Sequence, residues 1–224
     1  MLIDTLGLPE AEYHAFLEYK AMADKHNYLE NPKYVEGLTE EQKKLLDIAI
    51  FSAFGEGMQL FSSFAILLNF QRFGKMKGMG QIVTWSIRDE SLHVDGMLEI
   101  FKSILEESPK LWTKKLKDSI ITVCKDMVAL EDAFIDLAFE LGGIEGLTKE
   151  DTKTYVRYIA DRRLIQLGIK GVFNQRENPL EWLDWIINAV EHTNFFENKS
   201  TEYAKVSLTG SWDLERYFTG GKNE

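Results

Sequence analysis

Glu56 is the one acidic residue in the strongly apolar stretch Phe51–Phe70. A helix through this stretch is predicted to have no solvent-facing side wide enough for a charge. A carboxylate that is buried without a partner costs several kcal/mol or gives up its charge. The sequence therefore predicts that Glu56 is buried and that it lies against groups able to neutralise it.

The nearest suitable groups are Glu90 and His93, which lie three positions apart in the segment Trp85–Val94. Residues at positions i and i+3 share one face of a helix, so both side chains can reach the same point. A Glu-x-x-His pair that faces a lone glutamate on a neighbouring helix is half of the ligand set of a ferritin-like dimetal bundle. Carboxylate and imidazole ligands suit iron or manganese.

The elements that must position these residues are two helices separated by a glycine-containing break. Gly74 and Gly78 mark the break, since glycine commonly ends a helix. The arms from the break to Glu56 and to Glu90 hold about 17 and 14 residues, which rise about 25 and 21 Å in a helix. An antiparallel hairpin of such arms brings Glu56 level with Glu90 and His93.

An isolated Glu-x-x-His is weak evidence, because a solvated helix surface produces it by chance. The predicted burial of Glu56 at matching depth is what favours a metal site over that alternative. The remaining histidines do not repeat the motif, because each has alanine three positions before it: His14, His26 and His192.

Three segments carry a resemblance to a known family: FSAFGEGMQLFSSFAILLNF, IRDESLHVDGM and NPLEWLDWIINAVEHTNFFENKSTEYAKV. They resemble the small, radical-generating subunit of class I ribonucleotide reductase, and the resemblance extends from Tyr13 to Trp212. It implies an all-α, ferritin-like bundle with a dinuclear metal centre that activates oxygen. The centre would be di-iron first, with manganese–iron and dimanganese as alternatives. The radical would serve deoxyribonucleotide biosynthesis for DNA replication.

The resemblance also implies roles for individual residues. Glu56, Glu90 and His93 match the metal ligands of the third and fourth bundle helices. Asp89 matches the aspartate that hydrogen-bonds toward the metal histidine and the radical path. Tyr203 matches the tail tyrosine that relays the radical to the large subunit.

The chain lacks counterparts of the family's first two bundle helices, which carry an aspartate, a second Glu-x-x-His and usually a radical tyrosine. We therefore expect the C-terminal part of a small subunit, either a split-gene product or a truncation. Its expected partners are a separate N-terminal polypeptide and the large subunit, bound through the C-terminal tail. A higher oligomer is also expected.

An apolar stripe beside the three ligands supports the expectation of a partner, because large exposed apolar patches mark interfaces. The stripe is predicted from Phe54, Leu60, Phe61, Phe64, Ile87 and Leu92. Two other functions stay open. Two copies of the chain could form a self-contained dimetal oxidase or ferroxidase, or the chain could be an interaction subunit that binds no metal.

Hydrophobic periodicity predicts a helical domain over residues 1–191 and a flexible docking tail over residues 192–224. The helices are predicted at Pro9–Asn27, Glu40–Arg72, Met79–Glu107, Leu111–Leu141 and Thr148–Leu167, with a short one after Pro179. Cys124 is interpreted as an inert buried thiol. Gly55 and Gly57 beside Glu56 indicate close packing or a local helix distortion. Acidic residues of the fourth helix are assigned to a solvated face: Glu131, Asp132 and Asp136.

Composition narrows the functional class. The chain has 224 residues, 45% of them hydrophobic, and a formal net charge of −10. Nucleic-acid binding needs a basic surface, so it is not expected. We find no signal-peptide pattern at the N-terminus, and the apolar stretch near Phe64 is interrupted by polar residues, which argues against a membrane span. A cytoplasmic location is expected, in the host cytoplasm if the source is viral.

Overall fold

The computed structural model describes the backbone of residues 18–191 and the side chains of residues 18–186. Within this range the chain is helical and contains no strand, as expected for an all-α fold. The helices are α1 (Lys20–Glu30), α2 (Glu40–Arg72), α3 (Lys77–Glu107), α4 (Lys114–Ala138), α5 (Lys149–Gln166) and α6 (Glu181–Glu191). The predicted start of the first helix at Pro9 lies outside the described residues, and α1 begins at Lys20.

Helix α2 starts at a capping box. The Thr39 hydroxyl accepts a hydrogen bond from the Gln42 backbone N–H, and the Gln42 side chain accepts one from the Thr39 backbone N–H. Gln42 also donates to the Leu111 carbonyl at 2.9 Å. The cap therefore satisfies the backbone amides of Thr39 and Gln42 and fixes α2 to the segment that precedes α4.

Helix α2 is the core helix of the bundle and packs against α3, α4 and α5. It is long and apolar enough to cross a membrane by length and composition, whereas its polar residues predict no membrane span. However, 61% of its most apolar stretch is buried inside the protein. A bundle's central helix has this pattern, because it is apolar on nearly all sides.

The turn between α2 and α3 is closed by a Schellman motif. Gly74 has a φ of +73°, and the Lys75 N–H donates to the Phe70 carbonyl while the Gly74 N–H donates to Gln71. Gly80 of α3 then lies so close to Gln71 that a Cβ on it would be 2.1 Å from Oε1. The two helices therefore run antiparallel and in close contact, as the glycine break predicts.

Glu131 of α4 corrects the prediction of a solvated acidic face, because it is fully buried. Lys25 of α1 places its Nζ 2.6 Å from the Glu131 carboxylate, and the Ser62 hydroxyl of α2 donates to the same carboxylate. Burial raises the pKa of Glu131, against the opposing effects of Lys25 and Ser62. The carboxylate thus joins three helices at one buried point.

The two other acidic residues do lie toward the surface, and both pair with α5. Arg157 makes two hydrogen bonds to Asp132, at 3.0 and 2.6 Å. Lys153 pairs with Asp136 at 2.8 Å. The bidentate Arg157–Asp132 pair is the more directional of the two contacts and fixes the register between α4 and α5.

We expect Glu131→Gln to change how stability depends on pH. The raised pKa means that the folded protein holds the Glu131 proton more tightly than the unfolded chain does. The wild type therefore loses stability as pH rises above the ordinary glutamate value of 4.5. Relative to the wild type, the variant should gain stability as pH rises above 4.5, measured as urea midpoints.

Asp136→Asn is the matched control on the same helix. The hydrogen bond from Lys153 holds the pKa of Asp136 below its ordinary value of 3.8, so its contribution is lost only as pH falls below that value. Its offset from the wild type should stay constant over the same range. A constant offset for Glu131→Gln as well would contradict the role assigned to its burial.

Candidate metal centre

The structure brings Glu56, Glu90 and His93 together at the centre of the α2–α3 hairpin. Each residue offers one ligand atom, and these atoms all lie within 4.8 Å of one another. The Nδ1 atom of His93 is 3.7 Å from Oε2 of Glu90. Among the side chains of residues 18–186, no other group of three His, Cys, Asp or Glu residues comes as close.

Glu56 is half-buried, so the prediction of a fully buried carboxylate is wrong. The neighbouring Phe51 and Leu60 are 46% and 37% exposed, which shows that this part of α2 has an open side. The Ser52 hydroxyl, one helical turn earlier, lies 3.3 Å from Oε2 of Glu56. Glu90 is 25% exposed and His93 is 63% exposed, so the group lies at the surface of the described fold.

The backbone around Glu56 is a π-helix over Ala49–Gln59, set inside the long α2 helix. Its wider turn is closed by bonds of the i to i+5 type, such as the one from the Leu60 N–H to the Gly55 carbonyl. Such a segment re-aims its side chains relative to a regular α-helix. The helix distortion considered for Gly55 and Gly57 is therefore present, and it carries the candidate ligand.

Gly57 also shows the close packing considered for these glycines. The guanidinium of Arg163 in α5 donates through Nε to the Gly57 carbonyl at 2.9 Å. A Cβ on Gly57 would lie 2.6 Å from that Nε. Sequence reasoning missed both Arg163 and Ser52 as neighbours of the site, because Arg163 is 106 positions away along the chain and an isolated serine gives no signal.

The two other predicted site residues, Asp89 and Tyr203, are not part of this group. Asp89 is exposed on α3 and makes no hydrogen bond or ion pair with another described residue. Its predicted role in orienting the metal-bound histidine stays a prediction. Tyr203 and the rest of the predicted docking tail lie outside the described residues.

The exposed apolar residues of α2 and α3 match the predicted stripe only in part. Four of the predicted residues are buried in the protein's own core: Phe54, Phe61, Phe64 and Ile87. Leu60 and Leu92 are exposed as expected, Leu92 by 73%. On α3, Ile82, Trp85 and Ile100 are also exposed, and their spacing places them with Leu92 on one face of the helix. We call these four residues the α3 apolar face.

The donor set fits a metal of the iron or manganese type, since it combines two carboxylates and one imidazole. It supplies one lone glutamate and one Glu-x-x-His, whereas a complete dinuclear site of this type uses two of each. The described residues therefore fit half of a dinuclear centre, and a complete centre would need further ligands from outside them.

Comparisons with known proteins agree on one family. A family model described as "Ribonucleotide reductase, small chain" matches residues 1–179. The "Probable ribonucleoside-diphosphate reductase small subunit 048L" of Invertebrate iridescent virus 3 is 46% identical over 225 residues, covering 94% of this chain. The "Ribonucleoside-diphosphate reductase subunit beta" of Chlamydia pneumoniae is 31% identical over 214 residues, covering 90% of this chain. The chain spans 60% of the length of each relative.

A solved structure shows the same fold. The ribonucleotide reductase R2 subunit from Clostridium botulinum matches with a TM-score of 0.67 and 22% sequence identity. The match covers 78% of this chain and 55% of that one. This likeness confirms the ferritin-like helical fold that the sequence predicts.

We expect Gly57→Ala to destabilise the protein by about 1–3 kcal/mol, because the new methyl group would meet the Arg163 guanidinium and the Ser52 carbonyl. The measurement is the free energy of unfolding in urea. Gly96→Ala is the control, since a Cβ on Gly96 of α3 has nothing within 4 Å. That variant should be neutral or more stable by up to about 1 kcal/mol. Equal effects of the two substitutions would contradict the packing described for Gly57.

Proposed function

The chain belongs to the ribonucleotide reductase small chain family, and we propose that it supplies half of a dinuclear metal centre in a ribonucleoside-diphosphate reductase. The observation that carries the proposal is the convergence of ligand atoms from Glu56, Glu90 and His93 within 4.8 Å. When bound, the metal centre would supply the oxygen activation and radical generation that are general properties of the family.

The chain's own residues would hold and orient that centre. Glu56 comes from α2 and the Glu90–His93 pair from α3, so the hairpin fixes the ligands from two directions. The Ser52 hydroxyl at 3.3 Å from Glu56 Oε2 would occupy one carboxylate oxygen and leave the other for the metal. Iron is the favoured metal, and manganese–iron or dimanganese centres would use the same ligands.

The remaining ligands would come from chain outside the described residues or from a separate N-terminal small-subunit polypeptide. The α3 apolar face supports an interface on this helix, because Leu92 and Ile100 are exposed by 73% and 48% on the helix that carries Glu90 and His93. Permanent interfaces of this kind bury more than about 2,000 Å² and resemble a domain core. A split-gene small subunit of this kind would pair again into a larger assembly.

Two further roles rest on the family resemblance. Asp89, which is exposed next to Glu90, would hydrogen-bond toward the metal histidine once the site is covered. Tyr203 would relay the radical to the large subunit, with residues 192–224 acting as the docking tail of the helical domain. The cytoplasm, in an infected host if the source is viral, is the proposed place of action.

A homodimeric dimetal oxidase or ferroxidase is the second candidate. The half ligand set lies at the surface, where His93 is 63% exposed, so two copies could face each other. They would then contribute two lone glutamates and two Glu-x-x-His pairs. Binding of about two metals by a dimer of the chain alone would favour this function, and no metal in any assembly would favour an interaction subunit.

We expect Glu56→Ala, Glu90→Ala and His93→Ala each to weaken metal binding by more than about 10-fold, since loss of a ligand should cost at least as much as loss of an outer partner. The measurement is iron and manganese content of the assembled complex by elemental analysis. Glu99→Ala is the control, because Glu99 lies on the same helix but is exposed and paired with Lys102. Unchanged metal content in all three ligand variants would refute the proposed centre.

Tyr203→Phe should keep the metal and lose turnover with the large subunit.

We expect Leu92→Asp to abolish assembly with the polypeptide that supplies the remaining ligands, because a charge would replace an exposed leucine in the α3 apolar face. The measurement is the mass of the co-expressed complex by light scattering. Ile165→Asp is the control, since Ile165 is 63% exposed on α5. Both variants should leave the stability of the chain within about 0.5 kcal/mol of the wild type. Assembly that survives Leu92→Asp would place the interface elsewhere.

A further inference from the structure

Arg163 is a partly buried cation of α5, and Asp95 of α3 is the acidic residue that acts most strongly on its charge. Its Nε donates to the Gly57 carbonyl at 2.9 Å, and its Nη1 donates to the Gln166 side chain at 2.7 Å. The guanidinium also lies 5.7 Å from the centre of the Phe61 ring. Burial lowers the pKa of Arg163, and the attraction of Asp95 offsets this effect only in part. The hydrogen bond to α2 therefore helps to stabilise a partly buried cation.

The contact between Arg163 and Gly57 depends on the shapes of both residues. The guanidinium can reach the α2 backbone because Gly57 has no Cβ, which would lie 2.6 Å from Nε. The same Cβ would lie 3.0 Å from the Ser52 carbonyl, and Ser52 is the residue whose hydroxyl contacts Glu56. Arg163 and Gly57 are therefore complementary in shape as well as in hydrogen bonding.

The contact falls on the π-helical segment Ala49–Gln59, one residue after Glu56. A π-helix is intrinsically less favourable than an α-helix, so it needs support from its surroundings. A charged donor bonded to a backbone carbonyl is stronger than a neutral one. It can therefore hold this segment in place and, with it, the direction of the Glu56 side chain.

We propose that Arg163 is a positioning residue, which fixes the π-helical backbone at Gly57 so that Glu56 points toward Glu90 and His93. This inference rests on the proposed metal centre for its functional consequence. Among the described residues, the hydrogen bonds of Arg163 go to Gly57 and Gln166 and not to a candidate ligand. It would therefore act through the Gly57 carbonyl. It belongs to α5, so it makes the geometry of a site on α2 and α3 depend on a third helix.

The first test measures Mn²⁺ affinity of the full chain, in its assembled complex, by electron paramagnetic resonance. Arg163→Met should weaken Mn²⁺ binding by about 10-fold, in the range found for residues that orient metal ligands. Arg163→Lys should recover part of the affinity, since lysine keeps a cationic donor. Arg162→Met is the charge-matched control, because Arg162 lies on the same helix, is exposed and donates to the Tyr158 hydroxyl.

Leu164→Ala is the control for a general loss of stability. Leu164 is fully buried on the same helix, so its truncation destabilises the protein while keeping the Arg163 donor. Under conditions in which it remains folded, this variant should bind Mn²⁺ as the wild type does. Arg163→Met that binds like Leu164→Ala would overturn the positioning role while leaving the proposed metal centre intact.

The second test does not depend on metal. Hydrogen exchange followed by mass spectrometry should show amides of Ala49–Gln59 exchanging about 10-fold faster in Arg163→Met, with Lys114–Ala138 unchanged. Uniform or absent acceleration would overturn the inference. Selective acceleration, combined with a wild-type complex that binds no metal, would refute the proposed function and confine Arg163 to anchoring the backbone.

Discussion

A carboxylate on the most buried helix of the bundle is the constraint on which the candidate site depends. Helix α2 packs against three neighbouring helices, yet it must present Glu56 to α3. The π-helical segment Ala49–Gln59 meets this requirement by turning the backbone locally. The glycine at position 57 then admits the Arg163 guanidinium against the same segment. One local distortion of α2 therefore allows the helix both to pack in the core and to present Glu56 to α3.

Much of this arrangement could be predicted from sequence because it follows from local patterns. The glycine break sets the lengths of the hairpin arms, and the Thr39–Gln42 capping box is readable from spacing alone. These local rules suffice to bring Glu56 level with Glu90 and His93. The burial of individual side chains is harder to predict. Phe51 and Leu60 of α2 are exposed because no described helix covers them.

Glu131 is predicted to be exposed but is buried, and tertiary packing is again the reason. Its spacing in α4 is typical of a solvated acidic face, but α1 covers that face and brings Lys25 to the carboxylate. The partner is 106 positions earlier in the chain, so no local pattern could indicate the pair. Helical periodicity predicts which residues share a face, whereas the tertiary packing decides whether that face meets water, another helix or a partner.

The charges at the site connect metal binding to assembly. Glu56 and Glu90 place carboxylate oxygens within 4.8 Å of each other, and like charges at that distance repel more strongly as the surroundings become less polar. Covering the α3 apolar face with a partner would remove water and strengthen this repulsion. A bound cation would convert the repulsion into attraction. In the proposed centre, therefore, metal and partner favour each other's binding, because each is stabilised most when the other is present.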